Sequence, residues 1–175
     1  MTECPYCEVV NGKGKMQKIF EDDKILAILN PHPATIGHIL LFPKEHKPIL
    51  ENVKDYDIAY MFKVANKLST AAFESLGSQG TNIIIQNGIA AGQKIAHFCI
   101  HIIPRREGDG LDFTWQPRQL NEEEMSTIEL QLKEETKNLG EFEKEDEKIV
   151  EVNKEPEEIK TKGDNYLIKQ LRRIP

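Results

Sequence analysis

The sequence predicts an α+β fold: an antiparallel sheet with one long helix, followed by a C-terminal helix and a charged extension. Three observations predict it. Short β-branched and apolar runs recur between turn residues, a 22-residue stretch from Asp55 to Leu76 carries a helical apolar stripe, and no strand–helix alternation suggests parallel crossovers.

Each element has a local reason. Residues 18–29 read as two short strands around the polar turn Glu21-Asp22-Asp23, a hairpin. Asn30-Pro31-His32-Pro33 is a rigid break, because each proline pushes its predecessor out of the helical region. Gly37 to Pro43 then reads as a buried strand. The long helix takes Asp55 as N-cap and buries Ile58, Met61, Phe62, Ala65, Leu68, Ala72 and Leu76 before Gly77. Thr81 to Gln86 is another strand, and a Gly-rich loop from Asn87 to Gly92 feeds a last strand over His97 to Pro104. Asn121-Glu122-Glu123-Glu124 has capping-box spacing and leads a second helix to about Gly140. Glu141 to Lys162 has little to bury and reads as a charged linker, whereas Tyr166 to Ile174 regains apolar character and reads as a docking segment.

Composition narrows the function. A chain of 175 residues accommodates one domain of ordinary size and some additional structure. Its net charge of −6 opposes generic nucleic-acid binding, which needs a basic field, but leaves room for a small anionic ligand held by local groups. No apolar run approaches the ~18 residues of a membrane span, and Met1-Thr2-Glu3-Cys4 does not begin a secretory signal, so the expected compartment is the cytoplasm. In that setting the three cysteines read as metal ligands or catalytic thiols. The Cys4-x-x-Cys7 pair is half of a tetrahedral zinc site. Spacing alone does not choose the remaining ligands among the histidines.

His97-Phe98-Cys99-Ile100-His101-Ile102 carries the chemistry. In a strand His97, Cys99 and His101 would stand in a row, with Phe98, Ile100 and Ile102 packed behind them. With Gly92-Gln93 before it and Ile103-Pro104-Arg105 after it, this segment resembles the signature strand of the histidine triad (HIT) family, His-x-His-x-His, with cysteine in the middle position. The resemblance covers roughly residues 4–115. It implies a HIT-like fold in a domain at 1–117 and does not explain the tail, where the sequence pattern itself places the helix at 118–140, the linker at 141–164 and the docking segment at 165–175. The resemblance further implies a homodimer and a purine nucleotide ligand such as AMP or a derivative; the lack of a long apolar run gives the expectation of no membrane association.

The same resemblance supplies roles. A structural zinc ion would be held by Cys4, Cys7, His46 of Pro43-Lys44-Glu45-His46, and His97. The nucleotide would meet Asn30 at the ribose, where the family places an acidic or amide side chain, together with His38, Asn87, Gly92, Gln93 and His101. Gly88 would let backbone amides approach a phosphate, and Tyr6, Val9 and Ile28 would pack the purine. Cys99 takes the position of the nucleophile that attacks the α-phosphorus, and His101 that of the residue bonding the phosphoryl oxygens or leaving group. A thiolate is a nucleophile, but an unperturbed thiol, with a pKa of ~8.5, is only a few per cent ionised at neutral pH. Neighbouring imidazoles or a zinc ion would lower that value. Sulfur on so short a side chain also reaches less far than an imidazole nitrogen. Three readings therefore stand: a hydrolase or transferase acting on a nucleoside phosphoramidate or dinucleoside polyphosphate, a nucleotide-binding protein with little turnover, and an interaction or redox module.

Overall fold

The structure is a computed structural model that describes residues 4–137, 139, 140 and 142. It contains helix α1 (Pro5–Val10), strands β1 (Lys18–Glu21), β2 (Ile25–Leu29) and β3 (Ile39–Pro43), helix α2 (Asp55–Leu76), strands β4 (Gly80–Ile85) and β5 (Ile100–Arg105), and helix α3 (Glu122–Glu135). The strands form one antiparallel sheet in the order β1-β2-β3-β5-β4.

Period-two alternation assigns the two faces. Ile25, Ala27, Ile39, Leu41, Ile100 and Ile102 point to one side, where Met61, Ala65 and Leu68 of α2 close the main core. Leu26, Ile28, Leu40, Phe42 and Cys99 point to the other, where Tyr6 and Val9 of α1 cover them. The central strands are therefore buried on both sides, and the face away from α2 is left to the short helix α1. That face carries the site.

Four expectations need correction. The ladder of the last strand begins at Ile100, so His97 and Cys99 lie in the extended approach to it. Their alternation survives because Phe98 still packs on the α2 side and Cys99 on the α1 side. Lys54, not Asp55, is the N-cap of α2 and makes no side-chain cap bond; Asp55 is the first helical residue, where its carboxylate meets the positive end of the helix dipole. Phe62 is 43% exposed and lies off the buried stripe. The second helix ends at Glu135, with Thr136 as C-cap, short of Gly140.

At the other end of α2, Gly77 turns in the left-handed conformation at φ +63° and stops the helix as expected. Helix α3 has the reciprocal capping box: Asn121 Oδ1 accepts from the Glu124 amide at 2.8 Å, and Glu124 Oε2 accepts from the Asn121 amide at 3.0 Å. Within this chain α3 buries none of its residues. No helix among the described residues is long and apolar enough to cross a membrane. The proposed linker at 141–164, apart from Phe142, and the docking segment at 165–175 lie outside the described residues.

Candidate functional site

Cys4, Cys7, His46 and His97 come together. One donor atom from each lies within 4.8 Å of all the others. Cys4 caps α1, and Cys7 sits one turn later, so a single short helix presents both thiols. His46 follows β3, and its loop is pinned to the His97 segment by the Phe98 amide, which donates to the Lys47 carbonyl at 2.5 Å. His97 is 1% exposed, and its Nε2 donates to the Pro43 carbonyl at 2.8 Å. That bond fixes the proton on Nε2 and turns the Nδ1 lone pair toward the thiols.

His97 Nδ1 lies 3.4 Å from Cys4 Sγ and 3.6 Å from Cys7 Sγ, and His46 Nδ1 lies 3.2 Å from Cys7 Sγ. In tetrahedral zinc coordination, sulfur and nitrogen ligands stand about 3.5 Å apart. Burial holds His97 below its ordinary pKa and therefore neutral, as a ligand must be, while burial and the adjacent Cys4 hold the Cys7 thiol up. A cation is what draws the proton from such a thiol. The set can bind a metal ion.

Beside this cluster a cavity of about 560 Å³ opens on the α1 face of the sheet. Pro5, Tyr6 and Val9 form one wall, Ile28 and Leu40 line it from the sheet, and Asn30, Gln93, Lys94, Cys99 and His101 are among its polar groups, with His32 and Gln86. His97 belongs to both cavity and cluster. Tyr6 stacks on Phe42 with ring centroids 4.5 Å apart and planes 9° from parallel. Cys99 is 8% exposed, and its Sγ is directed to the Ile100 carbonyl at 3.6 Å. Burial pushes this thiol up to about 12, opposite to the lowering that neighbouring imidazoles would produce.

Several expected contacts are made behind the cavity rather than in its wall. His38, 5% exposed, stands behind Asn30 and His101, with its Nε2 3.1 Å from His101 Nδ1 and its Nδ1 3.2 Å from the Asn30 amide nitrogen. It does not line the cavity. Burial, and then the nearby His101, lower His38 to about 4, and burial lowers His101 as well. Asn87 is spent on loop structure: its Oδ1 accepts from the Leu50 amide and its Nδ2 donates to both carboxylate oxygens of Glu51. Gln93 accepts from the Gly88 amide at 2.8 Å and donates to the carbonyls of Pro48 at 2.6 Å and Ile95 at 2.9 Å. These amides hold the loop that frames the cavity. Gly92 is favoured by its left-handed backbone at φ +92°; a Cβ there would also displace the Gln86 side-chain amide, 2.6 Å away.

Met16, Gln86 and Lys94 line the cavity without having been anticipated. Gln86 was findable, because it extends the β4 alternation past Ile84, which pairs with His101. Lys94 sits in the Gln93–His97 approach. Met16 had no local signal; chain reversal into β1 brings it there.

The HIT domain family matches residues 11–108 of the chain. The chain belongs to the HIT family. Among its relatives is adenylylsulfatase HINT3 of Arabidopsis thaliana, 40% identical over 109 residues, which are 62% of this chain and 55% of that protein. The match thus spans about half the length of that relative. Among solved structures, a zinc-bound histidine triad family protein from Mycobacterium smegmatis is 38% identical, with a TM-score of 0.61 over 66% of this chain and 84% of that one. A histidine triad nucleotide-binding protein from Candida albicans is 26% identical, with a TM-score of 0.67 over 76% of this chain and 96% of that one. The sheet and α2 are therefore those of a HIT fold, and the Cys4-Cys7-His46-His97 cluster is consistent with the zinc-containing type of HIT protein. Cys99 occupies the middle position of the HIT triad.

Proposed function

We propose that this HIT protein binds a purine nucleotide, AMP or a derivative, and that Cys99 is not the nucleophile of a turnover reaction. The carrying observation is the Cys99 side chain itself, packed among Leu26, Ile28, Leu40 and Phe42 with its sulfur directed to its own chain's carbonyl. A thiol so placed makes a cavity wall, and it reaches less far toward a phosphorus atom than an imidazole would. Tyr6, Val9 and Ile28 suit the apolar faces of a base, Asn30 a ribose hydroxyl, and His101 with the Gln93–Lys94 loop the phosphate. No Asp or Glu lines the cavity among the described residues, which favours an anion in a chain of net charge −6.

In this reading Cys4, Cys7, His46 and His97 hold a structural zinc ion that ties α1 to the sheet. Thiols that must stay reduced suit the cytoplasm. The molecule is a homodimer, a reading supported by the exposed Phe62 on α2 and Ile83 on the edge strand β4.

A second reading keeps turnover without a covalent step, with water attacking and His101 donating to the leaving group. The adenylylsulfatase name of the Arabidopsis relative favours it. One experiment separates the two: AMP affinity, together with AMP release from adenylyl sulfate and adenosine phosphoramidate, for wild type, Cys99→Ser and Cys99→His. We expect all three to bind AMP within about threefold of one another, because removing a nucleophile leaves ground-state contacts in place. We also expect release only by Cys99→His. Release by wild type that Cys99→Ser abolishes overturns the proposal; release that Cys99→Ser preserves establishes the second reading. No AMP binding by any form returns the chain to the interaction or redox reading.

A further inference from the structure

Asn30 stands where the resemblance allows either a carboxylate or an amide, and its hydrogen bonds give the amide a specific consequence. The Ala34 backbone N–H points at His38 Nδ1 at 3.1 Å, and a backbone N–H can only donate, so Nδ1 carries a lone pair. Asn30 Oδ1 accepts from the His32 amide at 2.9 Å, which turns its NH2 toward the same His38 Nδ1 at 3.2 Å. Two donors thus converge on one lone pair. The proton of neutral His38 resides on Nε2 and donates to His101 Nδ1 at 3.1 Å. His101 must then carry its own proton on Nε2.

We infer that Asn30 is a positioning residue: together with the Ala34 N–H it holds the His38 Nδ1 lone pair and so, through His38, the tautomer of His101 in which this ring presents an N–H donor, rather than a lone pair, to an anionic phosphoryl group. A carboxylate at position 30 would place an oxygen lone pair against the His38 Nδ1 lone pair. It would draw a proton onto Nδ1 and expel the Ala34 N–H from its acceptor. The amide avoids both and leaves the cavity wall without negative charge. The functional consequence rests on the nucleotide reading of the cavity, whereas the tautomer assignment stands on the hydrogen bonds alone.

The test is two-bond ¹H–¹⁵N spectroscopy of the imidazoles at pH 7 in the ligand-free protein, with His38→Gln and His101→Gln to assign resonances. In wild type, His38 and His101 should both show a pyridine-type Nδ1 and a pyrrole-type Nε2. Asn30→Asp should convert His38 Nδ1 to a proton-bearing nitrogen. Asn30→Ala, which removes one of the two donors, should move the Nδ1 resonance toward that of a free lone pair. A pyrrole-type Nδ1 on His101 in wild type overturns the inference, as does an unchanged His38 pattern in a folded Asn30→Asp or Asn30→Ala protein. Titration of the same wild-type sample with AMP is scored separately. Failure to bind with the expected tautomers overturns the nucleotide reading and leaves the assignment intact.

Discussion

His38 is 5% exposed, bonded on one side to Asn30 and the Ala34 amide and on the other to His101, and burial and His101 lower it to about 4. In the unfolded chain its value returns to about 6.5. Between these values the unfolded state binds the extra proton, so stability rises with pH across that window. The contribution is fully present above pH 6.5 and is lost as pH falls toward 4. At about 1.4 kcal/mol per unit it amounts to at most about 3.5 kcal/mol. Urea midpoints measured from pH 7 to pH 4.5 should therefore fall more steeply in wild type than in His38→Gln. Parallel slopes would show that His38 titrates normally.

Helix α1 is the element on which cluster and cavity depend together. It is six residues long, too short to persist alone, and is held by Val9 burial, the Tyr6–Phe42 stack and whatever the thiols bind. A metal ion present at 1,000 times its dissociation constant would stabilise the folded state by about 4 kcal/mol, or roughly 10 °C in a chain of this size. Chelation should lower the melting temperature by that order and weaken AMP binding, because Pro5, Tyr6 and Val9 leave the cavity wall with α1. Cys7→Ser should reproduce both effects and be insensitive to chelator. Equal calorimetric transitions with and without chelator would show that no metal holds the helix. Helix α3 is the opposite case. It is well capped yet buries nothing in its own chain, with Met125, Ile128 and Leu132 on the surface at helical spacing.

For the whole molecule, the exposed residues decide the expectation. Phe62 on α2 is 43% exposed and Ile83 on the edge strand β4 is 40% exposed, while α3 carries its own apolar stripe. Surfaces of this kind commonly mark an association face. Light scattering should give a mass twice that of one chain, and Phe62→Glu should shift it toward the monomer while retaining the far-ultraviolet circular dichroism of the fold. A single-chain mass for wild type would overturn the homodimer.

By itself the sequence determined the fold class, the hairpin, the extent of α2, the presence of β4 (one residue earlier than expected, at Gly80–Ile85) and the capping box of α3, because each rests on local periodicity or a local hydrogen bond. The metal quartet was legible through the Cys4-x-x-Cys7 spacing and a family resemblance, and the structure gathers its donors within 4.8 Å. Tertiary structure alone decided the rest. The burial that raises the Cys99 thiol comes from residues more than 50 positions away. Gly92 looks like a phosphate-loop glycine, and the left-handed backbone it adopts in the folded loop, at φ +92°, is what disfavours a side chain there. Asn87 and Gln93 look like free amides, yet distant backbone partners and Glu51 occupy them. His38 looks like a pocket residue, yet the β3–β5 pairing stacks it behind His101. Strand alternation tells which face a side chain takes, but its solvation and its hydrogen-bond partners depend on elements that meet only when the chain has folded.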